Sequence, residues 1–275
     1  MIEVVREGAS AAGAKIVIFD FDGTLSLIRS GWTDVMIPLC VEQLAALRTG
    51  ESDAQLRLIV EEFVWRLTGK ETIYQMMALA DRIRERGGQA LEPLVYKRMY
   101  LDRLWLKIRD RIQALRSGTI APERYIVPGA KQLLDDLAAR RLRMYLASGT
   151  DDANVREEAA LLGIADYFEG RIFGAQDDLT IFSKALLVQR ILSNTAGISA
   201  NELLVFGDGY VEIEEVKKAG GVAVGVATLE PECLVPDPWK RERLIKAGAD
   251  YIVPNFLQFE ELASAVFGAP MCVER

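Results

Sequence analysis

The chain has 275 residues, half of them apolar, with 33 Lys+Arg against 40 Asp+Glu and a formal net charge of −7. It contains no histidine, which excludes Ser-His-Asp and Cys-His triads, His-ligated zinc and imidazole as a general base. The acidic balance argues against a nucleic-acid partner, because a nucleic-acid groove needs clustered Lys and Arg. No apolar run approaches the roughly 20 residues of a membrane span. The amino terminus, MIEVVREGASAAGAK, lacks the long apolar core of a secretory signal. Cys40, Cys233 and Cys272 are odd in number and far apart, which suits a reduced compartment. A cytoplasmic protein with no membrane partner is the expectation.

Ile16–Phe19 is a short β-branched and aromatic run ending in acids, the pattern of a buried parallel strand. From Thr33 to Ser117 the signals are helical. Val35, Leu39, Val41, Leu44 and Leu47 recur at three- and four-residue steps, as do Leu56, Ile59, Val60, Phe63, Val64 and Leu67. Ser52-Asp53 offers the second helix an N-cap, and Thr68-Gly69-Lys70 closes it. A third helix spans Thr72 to Arg86 before Gly87-Gly88, and a fourth runs from Pro93 to Leu115. Consecutive helices with short breaks predict a compact bundle.

After Pro122 helices and strands alternate. Helices are predicted over 129–140, 154–162, 184–194, 212–219 and 259–266. Strands are predicted over 143–147, 171–173, 203–206, 222–226 and 251–253, and the proline-rich stretch 231–238 reads as a loop. The alternation predicts an α/β fold with a doubly wound, Rossmann-like parallel sheet, and a site beyond the carboxyl ends of its strands. Residues 1–27 and 122–275 form this core, and residues 28–121 are an inserted all-α helical domain.

Four strand ends or helix starts carry chemistry. Asp20-Phe21-Asp22-Gly23-Thr24 follows the first strand. One of its acids can attack an electrophile while the other passes a proton to the leaving oxygen, and together they can hold a hard cation. Asp208, with Glu212 four residues on, supplies a second acidic pair. Ser148-Gly149-Thr150 offers a hydroxyl and backbone N–H groups to a phosphate. Lys184 opens a helix, where its charge opposes the dipole unless an anion is nearby. This set suits movement of a phosphoryl group through an anionic transition state.

The four pieces resemble the motifs of the haloacid dehalogenase superfamily. VIFDFDGTL looks like its first motif, LASGT its second, Lys184 its third and FGDGYVEIEEVKKAG its fourth. The resemblance implies that Asp20 is a nucleophile forming an aspartyl-phosphate and Asp22 the general acid/base. It places Gly23, Thr24, Ser148 and Gly149 around the phosphate, and gives Lys184 the task of steadying nucleophile and phosphate. Asp20, the backbone carbonyl of Asp22, Asp208 and Glu212 would bind Mg2+. Glu212 stands where the family most often has aspartate, and Lys217 and Lys218 are rivals for the lysine role. By that likeness the helical insertion is a cap that sets specificity, with Arg29, Trp32 and Lys70 as its candidate substrate residues. The expected activity is a Mg2+-dependent phosphatase of a small phosphorylated metabolite, acting as a monomer or homodimer. A phosphomutase, a phosphonatase-like enzyme using Lys70, and a non-catalytic binding protein on the same scaffold are the alternatives.

Overall fold

The computed structural model describes residues 2–176, 183–194, 199 and 202–268, so Cys272 lies outside it. In chain order, β1 (Glu3–Val4) and β2 (Ile16–Phe19) precede four helices: α1 (Thr33–Ala45), α2 (Asp53–Leu67), α3 (Thr72–Glu85) and α4 (Pro93–Arg116). There follow α5 (Ala130–Ala139), β3 (Arg143–Asp151), α6 (Asp152–Leu161), β4 (Ile172–Ala175) and α7 (Lys184–Asn194). The chain continues through β5 (Leu203–Gly207), α8 (Tyr210–Ala219), β6 (Val222–Val226), α9 (Pro238–Ala247), β7 (Tyr251–Val253) and α10 (Phe259–Phe267).

The strands form one sheet in the order β1-β7-β6-β5-β2-β3-β4. All pairings are parallel except β1 on β7. All four residues of β2 are buried. Val17 and Phe19 enter a large apolar cluster, while Ile16 and Ile18 enter a second, smaller one. Alternate side chains of a strand point to opposite faces, so the sheet is covered on both sides, as the doubly wound reading requires. Phe19 stacks on Phe206 of β5 with ring centroids 4.9 Å apart, fixing neighbouring strands at their carboxyl ends.

The helical block follows from its sequence patterns. Ser52 caps α2 by accepting from the Gln55 N–H at 3.4 Å, and Gln55 Oε1 accepts from the Ser52 N–H at 2.8 Å, a reciprocal capping box. Leu56, Val60, Phe63 and Val64 of α2 are buried, and they join the cluster that also holds Val17 and Phe19. Block and sheet therefore share one contiguous apolar core.

Three features differ from the sequence-based expectations. β1 is a two-residue antiparallel edge strand, too short to show an alternation. β3 runs on through Ser148, Gly149 and Thr150 to Asp151, so those residues sit on the strand rather than beyond it. After the proline-rich loop, α9 begins at Pro238 with Asp237 as its cap, the side chain accepting from the Lys240 N–H at 2.9 Å. Among the described residues no helix is long and apolar enough to cross a membrane.

Candidate active site

The sheet order brings the four chemical segments together. β2 lies between β3 and β5, with Phe19 paired to Leu146 on one side and Phe206 on the other. The residues after Phe19, Leu146 and Phe206 therefore emerge side by side. The Asp20 N–H donates to Phe206 O at 2.9 Å, which carries the β2–β5 ladder one step into the loop. Gly23 has φ +76, and a Cβ there would stand 2.3 Å from Asp208 Oδ2, so a glycine is needed for the first loop to lie against the acid after β5.

Lys184, at the first position of α7, is buried and donates from Nζ to Asp20 Oδ1 at 2.7 Å and to Glu212 Oε2 at 3.1 Å. Glu212, 1% exposed, also accepts the Gly209 N–H at 3.1 Å, so one side chain both caps α8 and pairs the lysine. Burial raises the Asp20 carboxyl well above the usual carboxylate range. Lys184 opposes that rise, while Glu212 and Asp208 reinforce it. Burial also disfavours the Lys184 charge, but Asp20 and Glu212 outweigh it and hold the ammonium above the ordinary lysine value. The rivals point elsewhere: Lys217 pairs with Asp250 at 2.8 Å and Lys218 with Glu215 at 2.7 Å.

Asp22 Oδ2 accepts from Thr150 Oγ1 at 2.7 Å and from Ser148 Oγ at 3.3 Å. Among the described residues its Oδ1 is buried without a partner, as is Thr24 Oγ1. Buried polar atoms normally find partners, so these two mark where a ligand would complete the loop. Burial raises the Asp22 carboxyl, against the lowering influence of Arg29 and of the Thr150 hydrogen bond. Gly149 lies against the helix break, since a Cβ there would meet Lys70 O at 3.2 Å.

Arg29, Trp32 and Lys70 all line a chamber of about 110 Å³ that also contains Asp20, Asp22 and Lys184. Arg29 is already engaged, with Nη2 2.6 Å and Nε 3.1 Å from Glu158 Oε1. Lys70 Nζ stands 5.1 Å from the centroid of the Tyr74 ring. The Thr68-Gly69-Lys70 break touches three of the core segments. A Cβ on Gly69 would meet Gly209 Cα at 2.8 Å, and Glu71, next to the break, accepts the Lys184 N–H at 3.2 Å.

Several participants escape sequence reasoning. Lys240 of α9 reaches Asp208 Oδ2 at 2.9 Å, Thr228 Oγ1 at 3.0 Å and Glu230 Oε1 at 3.1 Å. One turn on, Arg243 donates to the Trp65, Arg66 and Thr68 carbonyls at the end of α2. Asp237-Pro238 is a legible helix start, and it could have revealed α9. Nothing local shows that its lysine faces the fourth motif.

Asp20, Asp208 and Glu212 each offer a carboxylate oxygen within 4.8 Å of the others. Largely buried carboxylate oxygens that outnumber the lysines facing them, Lys184 and Lys240, fit a hard divalent cation. The arrangement as a whole can present a nucleophilic carboxylate, a second carboxyl carrying a proton, and positive charge to an anionic group.

A family model described as haloacid dehalogenase-like hydrolase matches residues 14–220. No relative was found among curated protein sequences. Three solved structures share the fold at low identity. A β-phosphoglucomutase from Clostridium difficile is 17% identical, with TM-score 0.60 over 92% of this chain and 96% of its own. A protein described as a predicted phosphoglycolate phosphatase from Haemophilus somnus is 15% identical, with TM-score 0.56 over 91% and 98%. A phosphonoacetaldehyde hydrolase-like protein from Oleispira antarctica is 17% identical, with TM-score 0.55 over 93% of each chain.

Proposed function

The chain belongs to the haloacid dehalogenase-like hydrolases, and from that premise we propose that it is a Mg2+-dependent phosphatase of a small phosphorylated metabolite. One observation carries the reading: Asp20 is held 2.7 Å from Lys184 while Asp22, two residues on, keeps a buried oxygen without a partner among the described residues. A nucleophile fixed by a cation beside a carboxyl of raised proton affinity suits an ester, whose leaving alkoxide needs a proton.

The Asp20 oxygen not held by Lys184 attacks phosphorus. The bond from phosphorus to the ester oxygen breaks, and Asp22 gives that oxygen its proton, releasing the alcohol. The phosphoryl group is then on Asp20. Asp22, now a carboxylate, takes a proton from a water that attacks phosphorus. The bond to Asp20 breaks, and inorganic phosphate leaves. Lys184 offsets charge on Asp20 and the phosphoryl oxygens, while Ser148, Thr150 and Thr24 offer hydroxyls. Asp20, Asp208 and Glu212, with the Asp22 carbonyl, would hold Mg2+, which offsets phosphoryl charge when bound. The helical block, residues 28–121, acts as a cap that excludes water over the inner chamber.

The test is a panel of sugar, polyol and amino-acid phosphates with Mg2+, comparing wild type with Asp20→Asn. Phosphate release by wild type that Asp20→Asn abolishes is expected. No hydrolysis on the panel, or full activity in Asp20→Asn, overturns the reading. A second reading takes its support from Lys70, whose place on the chamber wall would allow a Schiff base with a carbonyl substrate. Borohydride inactivation that depends on such a substrate and is lost in Lys70→Arg would favour it.

A further inference from the structure

The inner chamber opens beside a second cavity of about 990 Å³, nine times its volume. Trp32, Thr68 and Asp208 line both, so they form the partition between them. An inner space of about 110 Å³ is well below the ~300–1,000 Å³ of ordinary ligand sites. It suits a phosphoryl group and the first atoms of its ester, and the rest of the alcohol must lie elsewhere.

The outer cavity holds three of the chain's 4 tryptophans. Trp65 stands between the other two, with ring centroids 6.4 Å from Trp32 and 5.1 Å from Trp239. The three come from the residue before α1, the end of α2 and the start of α9, so the wall is assembled by the tertiary fold and has no local signature. Trp239 remains 39% exposed, with the Arg243 guanidinium 4.9 Å from its ring centroid.

The cavity's cations are mostly committed. Lys107 pairs with Asp34 at 3.0 Å, Lys240 with Asp208 and Glu230, and Arg111 donates to the Ile28 and Ser30 carbonyls at 2.7 and 3.0 Å. Among the described residues, Arg124 alone of these four has neither an ion pair nor a side-chain hydrogen bond. Such a wall is poorly matched to a second phosphate and well matched to a ring with π faces. On the reading of the enzyme as a phosphatase, we infer that its substrate is a phosphomonoester whose alcohol carries a planar aromatic ring. The outer cavity holds the ring, and Trp65 and Trp239 determine specificity for it.

Adenosine 5′-monophosphate and ribose 5-phosphate differ only by the base, and benzyl phosphate carries a ring without the sugar. The expected kcat/KM of wild type is about tenfold or more higher for adenosine 5′-monophosphate than for ribose 5-phosphate, the scale of one stacked base. Trp239→Leu brings that ratio close to one, and Trp239→Phe keeps most of it. An advantage shared by benzyl phosphate assigns the cavity to aromatic rings in general, and an advantage of the nucleotide alone assigns it to nucleosides. Hydrolysis without preference for either aromatic substrate overturns the inference and leaves the phosphatase reading standing. Adenosine binding, read by quenching of tryptophan fluorescence, separates the two further. Quenching that Trp239→Leu weakens supports the cavity's assignment even if nothing is hydrolysed, whereas no quenching in wild type overturns it.

Discussion

Two charge clusters, one buried and one partly buried, flank Asp22, and they are built on opposite rules. Arg29 and Glu158 meet one to one, with both Nε and Nη2 of the guanidinium on the carboxylate. Beside them, Lys184 faces Asp20 and Glu212, and Lys240 faces Asp208 and Glu230, an arrangement with more acids than bases. A balanced pair satisfies itself and holds elements in place, here the segment between β2 and α1 against α6. A cluster with surplus acid is left in need of a cation or a proton, the property that chemistry at an anionic group requires.

The sharpest way to break the contrast is to remove charge from each side. Asp20→Asn deletes the proposed nucleophile, so phosphate release should fall by about a thousandfold or more, while thermal unfolding should show the fold retained. Glu158→Ala should do the reverse. It leaves Arg29 buried without its partner and costs about 3–5 kcal/mol of stability, read by urea denaturation. The double variant Arg29→Met/Glu158→Leu should recover most of that loss. If it refolds fully and remains inactive, Arg29 also touches substrate.

The Arg29–Glu158 pair shows why the sequence is legible only in part. The strands and acidic loops could be read because their signals are local: short apolar runs, acids at strand ends, and glycine where the chain turns. Asp20 and Lys184 were found because each sits at the edge of such an element. Glu158 lies 129 positions from Arg29, on a helix whose exposed neighbours look the same in sequence. Its choice of partner is made by the stacking of α6 on the sheet. Lys240 and Glu71 were hidden for the same reason. The edge strand β1 was missed for another, since two residues hold no period.

Two smaller effects sharpen the comparison. Mg2+ at about a hundred times its dissociation constant should stabilise the chain by about 2.7 kcal/mol, measured as a rise in melting temperature. Asp208→Asn should abolish the rise, whereas the Arg29/Glu158 double variant should keep it. Without metal, burial raises Asp20 and Asp22 above their unfolded values. The native state then holds protons that the unfolded state has lost. Stability should fall as pH climbs from the ordinary carboxylate range through the raised values, by at most about 1.4 kcal/mol per pH unit for each proton. Melting in EDTA at stepped pH tests the sign, and Asp20→Asn should flatten the slope.

Arg243 gives the molecule a kinetic property. Its guanidinium sits on α9 of the α/β core and grips the carbonyls of Trp65, Arg66 and Thr68 at the end of α2. Swinging residues 65–68 away from α9 breaks several charge-assisted hydrogen bonds at once. On the proposed reading of residues 28–121 as a cap, its opening is a stepwise, heat-dependent event rather than a soft drift.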